Sequence, residues 1–329
     1  MENRSYKILP IIPIQEAITE ADAEIAKAMA GAQVGLLTRW PKLNSALNGG
    51  FRFGEFYLLA GASGSGKSMF LNMLILDFCN QALNGNFEHK FKILHFAFEM
   101  PSKTEVLRSF SSITGINYKR MVDPSNPITR EEQLLLEHQT RALRDNDIIH
   151  YVEHTGRVGD IVETAKAFQE MWPDHKLIIS LDHTILADYD DEQSEVQLVS
   201  NLTKVGIVLR KEIGAMMIFI GQLNDKIEDP DRRDPNKPQF HFPTKRDIHG
   251  SKSAYRDADC VLVVHAPEQL GIENYGKLGY PTKGLLALHL LKLRNGTPGV
   301  IRLKHDLSRG AIEEWKDGSS ITANGVTAK

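Results

Sequence analysis

The sequence predicts an α/β fold built on a phosphate-binding loop, and three observations carry that expectation. The first is Gly61-Ala62-Ser63-Gly64-Ser65-Gly66-Lys67-Ser68, which fits G-x-x-x-x-G-K-[ST] at every fixed position. The second is its setting, with the apolar strand-like run Glu55–Ala60 before it and good helix formers from Met69 to Leu76 after it. The third is a set of later apolar segments that each end in a polar residue: 93–98 before Glu99, 177–181 before Asp182, and 215–221 before Gln222.

Strand, glycine loop and helix form the arrangement that phosphate binding needs. Glycines let the backbone curl so that successive N–H groups point at phosphate oxygens, where a Cβ would block the approach. The start of the helix, through Met69, adds its partial positive charge. Lys67 is expected to reach the β- and γ-phosphates and the Ser68 hydroxyl to take a place on Mg²⁺. A glycine-rich turn that merely ends in Lys-Ser would not need both flanking elements. The expected ligand is a nucleoside triphosphate, by default ATP.

The chain of 329 residues is 42% hydrophobic and 25% charged, within the range of ordinary globular proteins rather than disordered ones. Its net charge of −3 provides no general attraction for nucleic acid, so any polyanion site must be a local patch. Two cysteines, Cys79 and Cys260, lack metal-ligand spacing and fit a reducing compartment. The start has no signal-peptide shape, and no apolar run is long enough to span a bilayer, so the expected location is cytoplasmic without membrane contact.

Taken in order, Ile14, Ala17, Ile18, Ala21, Ile25, Ala28 and Met29 recur at helical spacing, with Gly31 as a stop. This amphipathic helix either packs on its own domain or lies on a neighbouring subunit. The segment Leu37 to Glu55 then leads into the loop. Its order, Thr38-x-Trp40-x-x-Leu43-Asn44-x-x-Leu47-x-Gly49-Gly50-x-x-x-Gly54-Glu55, resembles the approach to the core of RecA-type ATPases. It is most similar to the C-terminal motor domain of DnaB-type replicative helicases. The resemblance implies a RecA-like P-loop NTPase core with a mostly parallel central sheet, preceded by a linker helix.

The segment Ile93–Phe98, ending in Glu99-Met100-Pro101, resembles that family's strand ending in Glu-Met. A carboxylate at the C-terminal end of a core strand lies at the nucleotide crevice, so Glu99 is placed to orient or deprotonate the attacking water. Arg108 matches by position an Arg near the base in related motors. Thr129 to Leu143 reads as a charged surface helix, Ile148 to Val152 as a short strand and Gly159 to Met171 as another helix. The strand Leu177–Leu181 ending in Asp182 is a Walker B arrangement, with Asp182 holding Mg²⁺. His183 stands where the family usually has Tyr. The acidic stretch Asp188–Glu192 opens a long helix from about Gln193 to Ile213 and carries no proposed contact.

Ala215 to Asn224 resembles the family's strand ending in a Gln that senses the γ-phosphate, here Gln222; an amide suits this by donating to phosphate and accepting from water. Gly221 replaces a Ser, and Asp225 replaces a basic residue. Lys226 to Arg246 is rich in Pro and charge and reads as a long mobile loop. The stretch before Cys260 resembles the helicases' D-L-R-E-S-G-x-I-x-x-D-A-D at Asp247, Ser251, Asp257, Ala258 and Asp259, but the family's Arg-Glu is here His249-Gly250. Lys226, Lys245, Arg246 and Lys252 are the candidate DNA contacts. Leu286 to Gly299, with Lys292-x-Arg294-Asn295-Gly296, resembles the C-terminal stretch whose cations complete a neighbouring subunit's ATP site. Lys292 and Arg294 alternate by two and are expected on one face of a strand.

Residues 1–35 are thus expected to form an N-terminal arm and linker helix, 36–315 the ATPase and helicase domain, and 316–329 a disordered tail. The N-terminal helical domain of bacterial DnaB-type helicases is missing from this expectation, as in a phage or plasmid replicon working in a bacterial cytoplasm. The resemblance implies a homo-oligomeric ring, a hexamer, acting on single-stranded DNA with ATP and Mg²⁺, and with a primase or loader as partner. A RecA-fold ATPase without unwinding activity, such as a recombination mediator, a loader or a KaiC-like switch, is the alternative.

Overall fold

A computed structural model of the chain describes residues 11–182, 194–249, 252–315 and 321–322. Its frame is one large sheet between two helical layers. In chain order the strands are β1 (Phe56–Gly61), β2 (Phe91–Ala97), β3 (Ile149–Val152), β4 (Lys176–Asp182), β5 (Met216–Gln222), β6 (Cys260–His265), β7 (Asn274–Tyr275), β8 (Tyr280–Pro281), β9 (Leu285–Leu293), β10 (Gly299–Asp306), β11 (Ala311–Glu314) and β12 (Ile321–Thr322). The helices are α1 (Ile14–Met29), α2 (Pro41–Ala46), α3 (Lys67–Phe78), α4 (Gln81–Asn84), α5 (Ser102–Thr114), α6 (Tyr118–Val122), α7 (Arg130–Gln139), α8 (Arg141–Asp145), α9 (Val158–Met171), α10 (Glu195–Glu212) and α11 (Lys252–Asp257).

The sheet runs β11-β10-β9-β6-β1-β5-β4-β2-β3, with β12 pairing to β10; β7 and β8 form a separate hairpin. The pairs from β3 across to β6 are parallel, and β9, β10 and β11 extend them antiparallel. Parallel strands must be covered on both faces, which explains their continuous rather than alternating apolar runs. On one face Phe56, Leu58, Phe96, Ile179 and Phe219 pack against Ile161 and Phe168 of α9 and Leu198, Leu202 and Leu209 of α10. On the other, Tyr57, Leu59, Ile178 and Ile218 meet Phe70, Leu74 and Phe78 of α3 and Trp40, stacked on Phe70 with centroids 4.5 Å apart.

The structure refines several expectations. The 129–143 helix is two helices, α7 and α8, meeting at Thr140; α7 starts on a capping box in which Thr129 accepts from the Glu132 amide and Glu132 accepts from the Thr129 amide. The expected mobile loop of 226–246 is instead tied down. It folds into three short 3₁₀ turns, Asp225–Glu228, Pro230–Arg232 and Pro238–Phe240. Arg232 fastens it by donating to Asp247 at 2.5 Å and to the Phe242 carbonyl at 2.8 Å. Polar composition marked a surface segment correctly, but one buried ion pair fixes it. Within the expected disordered tail, Ile321–Thr322 pairs with Gly299–Val300 of β10, where two residues of high strand propensity extend the sheet.

Helix α1 forms as its periodicity predicts but buries no residue; Ile14, Ile18, Ile25 and Met29 stay exposed. Two surface ion pairs, Lys27–Glu88 and Glu24–Arg52, hold it to the core. Of the elements assigned from the sequence, His183, the acidic stretch 188–192, Gln193, Gly250 and Ser251 lie outside the described residues.

Candidate active site

The loop after β1 closes over itself in the way only glycine allows. Gly64 and Gly66 have φ of 72° and 91°, in the left-handed region. A Cβ on Gly61 would stand 2.6 Å from the Val264 carbonyl oxygen and 2.5 Å from Ser65 Oγ. α3 begins at Lys67, so the unpaired amides of its first turn face the same hollow. The loop is braced from outside as well: the Gln269 side-chain amide donates to the Gly64 carbonyl at 2.9 Å.

The strand order then delivers the charged groups. β1, β5, β4 and β2 lie side by side, and their C-terminal ends carry Gly61, Gln222, Asp182 and the approach to Glu99. Lys67 Nζ donates to the Ala62 carbonyl at 2.8 Å and to Gln222 Oε1 at 3.3 Å. Burial lowers the Lys67 pKa, while the carboxylates of Asp182 and Glu99 oppose that shift. Burial also pushes Asp182 up to about 6, against a hydrogen bond from the Ser68 hydroxyl. The amides of Phe98 and Glu99 both donate to the Asp182 carbonyl, at 2.8 and 3.2 Å, which sets Glu99 next to the Walker B strand.

Asp182 Oδ1 is buried and has no hydrogen-bond partner among the described residues. An orphaned carboxylate oxygen beside a serine hydroxyl fits Mg²⁺, which takes one or two protein ligands and fills its shell with water and phosphate oxygens. Ser68 and Asp182 are therefore the residues suited to hold it.

Gly64, Gly66, Lys67, Ser68, Glu99 and Gln222 line a cleft of about 770 Å³ that also receives Ser63, Met69 and Arg108, while Asp182 is buried and does not form part of its wall. Its outer wall comes from residues the sequence did not single out: Asn117, Tyr118 and Lys119 at the start of α6, and Leu307 and Ser308 after β10. Neither wall has a sequence signature, because each approaches the loop only through the fold. Ser65 Oγ is buried behind the loop rather than facing it.

Lys292 and Arg294 lie elsewhere. Lys292 pairs with Val261 near the start of β6, and Tyr57 near the start of β1 pairs with Cys260. That is the opposite end of the sheet from the phosphate loop. From Phe56 to Gly61 alone the separation is roughly 17 Å, at ~3.3 Å per residue, beyond the reach of either side chain. The shared-face expectation is also modified. Lys292 Nζ donates to the carbonyls of Tyr255, Arg256 and Ala258 at 3.1, 2.5 and 2.6 Å, closing the end of α11. Arg294, just past the end of β9, pairs with Asp259 Oδ1 at 2.8 Å and stays 57% exposed.

Of the candidate DNA contacts, Lys226, Lys245 and Arg246 share an open groove of about 1340 Å³ with Arg256, Tyr255 and Gln197. Lys252 is the first residue of α11. Among the described residues no helix is long and apolar enough to cross a membrane.

Known proteins with the same pattern place this geometry. Residues 35–314 match the DnaB-like helicase C terminal domain family model. The replicative DNA helicase DnaB of Mycoplasma pneumoniae is 24% identical over 96% of this chain and 65% of its own length. That of Rickettsia bellii is 26% identical over 78% of this chain and 49% of its own. The chain thus spans from about half to about two thirds of the length of these relatives. Among solved structures, one described as an ATPase domain superposes with a TM-score of 0.78 at 17% identity, covering 93% of this chain and all of that one. A DnaB-like replicative helicase described with its interactions with primase gives 0.75 at 17%, covering 93% and 68%. Both share the α/β fold of this chain, with its mostly parallel central sheet. The family match covers the phosphate loop, both strand-end carboxylates, Gln222 and Arg294 in one span, and the chain belongs to the DnaB-like helicase C-terminal domain family.

Proposed function

We propose that the chain is the motor of a ring-forming, ATP-dependent helicase that couples hydrolysis at subunit interfaces to movement along single-stranded DNA. One observation carries the reading: the groups that bind and hydrolyse ATP converge at one end of the sheet, while Arg294 stands exposed at the other. An arginine there completes an ATP site only if a second copy brings its own cleft to it. A closed ring satisfies this for every subunit, and six is the expected number.

In this reading the loop amides and Lys67 hold the β- and γ-phosphates. Ser68 and Asp182 would hold Mg²⁺, which would supply neutralisation of charge at the phosphate oxygens. Glu99 takes a proton from the attacking water as its oxygen bonds to the γ-phosphorus and the bond to ADP breaks. Gln222 connects that event to the groove. Its side chain meets Lys67, its carbonyl accepts from the His249 amide at 2.8 Å, and Asn224 donates to the Asp247 carbonyl at 2.7 Å. Loss of the γ-phosphate at Gln222 thereby moves the 225–249 segment that carries Lys226, Lys245 and Arg246. Exposed α1, with its uncovered isoleucines, supplies a second contact between copies. A primase or loader is the expected additional partner.

The test is steady-state ATP hydrolysis with and without single-stranded DNA, at concentrations where rings form. Strong stimulation by DNA, followed by strand displacement, is expected. Turnover indifferent to DNA would favour a RecA-fold ATPase that unwinds nothing.

A further inference from the structure

Arg210 was not marked by any motif, yet it stands at the centre of the cation cluster at the far end of the sheet. It lies in the last turn of α10 and is 11% exposed, and its guanidinium is paired with Asp259 Oδ2. Asp259 is 5% exposed and fully engaged. Oδ1 forms an ion pair with Arg294 at 2.8 Å, and Oδ2 accepts from Arg210 and from the Phe56 amide at 2.9 Å. The backbone reinforces this, since the Asp259 amide donates to the Phe56 carbonyl at 2.8 Å and the Arg294 amide to the Asp259 carbonyl at 3.0 Å.

A carboxylate facing a single arginine tends to take it bidentately, which uses both oxygens and both faces of the fork. Here the second oxygen is already occupied, so Arg294 is held at one point and the remainder of its guanidinium projects outward. We propose that Arg210 is a positioning residue for the trans-acting arginine: by occupying Asp259 Oδ2 it stops Asp259 from capturing Arg294 and leaves that guanidinium free for an anionic group of a neighbouring copy. The inference rests on the ring reading above. The electrostatics agree with the geometry. Arg210 is lowered by burial and then by the charge of Arg294, and Lys292 by burial and then by the same arginine. Two arginines therefore flank one buried carboxylate, with Lys292 close enough to feel Arg294 and with Glu55 and Asp257 as the other acids that reach Arg210. The exposed guanidinium of Arg294 suits a site completed by phosphate.

The test compares Arg210→Gln, Arg210→Lys and Arg294→Ala in the full chain, measuring kcat, ATP affinity and ring assembly by sedimentation. If Arg210 positions Arg294, Arg210→Gln lowers kcat roughly tenfold to a hundredfold, the scale of a misplaced catalytic group, with ATP affinity and assembly retained. Arg210→Lys, which keeps a charge on Asp259, recovers most of that loss. Arg294→Ala should be worse than either, and mixed into wild-type protein it should reduce activity out of proportion to its fraction. Wild-type kcat in Arg210→Gln beside a dead Arg294→Ala overturns this proposal alone. An active Arg294→Ala overturns the ring reading and this proposal with it. Should Arg210→Gln fail to fold, Arg210→Gln with Asp259→Asn removes both charges together; near-normal kcat in that pair supports positioning, and a loss equal to that of Arg294→Ala refutes it.

Discussion

At the scale of single residues, the site works because each polar group sits at a strand end with its partners limited. Glu99 is exposed at the cleft, whereas Asp182, its neighbour across the sheet, is buried with one oxygen that has no partner among the described residues. Two carboxylates at neighbouring strand ends are thereby placed in different surroundings, which is what the separate roles proposed for them require. Glu99→Gln keeps the shape and removes the proton acceptor. It should leave ATP affinity unchanged and reduce turnover by about 10²–10⁴; hydrolysis at the wild-type rate would take Glu99 out of the proton-transfer role. Lys67 was legible in the sequence as a cleft residue, since its motif places it at the start of the helix after the loop. Arg210 was not, because a cation in the last turn of a helix is an ordinary dipole partner until the fold brings Asp259 to it.

At the scale of elements, the 225–249 segment is the part most misread from composition. Its Pro and charged residues mark it as surface, yet Arg232 closes it by pairing with the buried Asp247, which also accepts from the Thr244 amide at 2.6 Å and its hydroxyl at 2.9 Å. Removing one partner of such a pair leaves a buried charge and costs roughly 3–5 kcal/mol. Because Thr244 still serves Asp247, Arg232→Ala should fall near ~3 kcal/mol, read as a lower urea midpoint, with new protease cleavage inside the segment. A variant with an unshifted midpoint and an uncut segment would show that the pair does not fasten it. The core strands, in contrast, were readable one by one, because strands buried on both faces announce themselves as continuous apolar runs.

At the scale of the whole molecule, a buried histidine cluster joins the sheet to that same segment. His265 of β6 is held down to about 3 by burial, with the Arg232 charge acting in the same direction and Asp247 opposing it. His289 of β9 is lowered well below its usual range by burial, and accepts a hydrogen bond from Tyr275, 2.6 Å away, or donates one to it according to tautomer. Both are neutral in the fold and bind a proton when the chain unfolds near pH 6.5. Their contribution is therefore intact above 6.5 and is lost as pH falls from 6.5 towards 3. Stability should decline through that window by up to ~1.4 kcal/mol per pH unit for each histidine, and His265→Leu should flatten the slope by one proton. Denaturant titrations at a series of pH values decide this; equal slopes in both proteins would remove His265 from the account.

The sequence by itself determined the phosphate loop, because such a loop needs specific residue types at fixed local spacing, and neighbours in the chain are neighbours in the site. It also determined the alternation of strands and helices and the amphipathic character of α1. Tertiary structure alone decided which strand ends meet, since the order β6-β1-β5-β4-β2 reshuffles the chain order. It also decided that Arg294 stands a strand's length from its own cleft, that three carbonyls occupy Lys292, and that Arg210 joins Asp259 from 49 residues away. Contacts across such distances depend on sheet order and helix packing, which the spacing of residues along the chain does not encode.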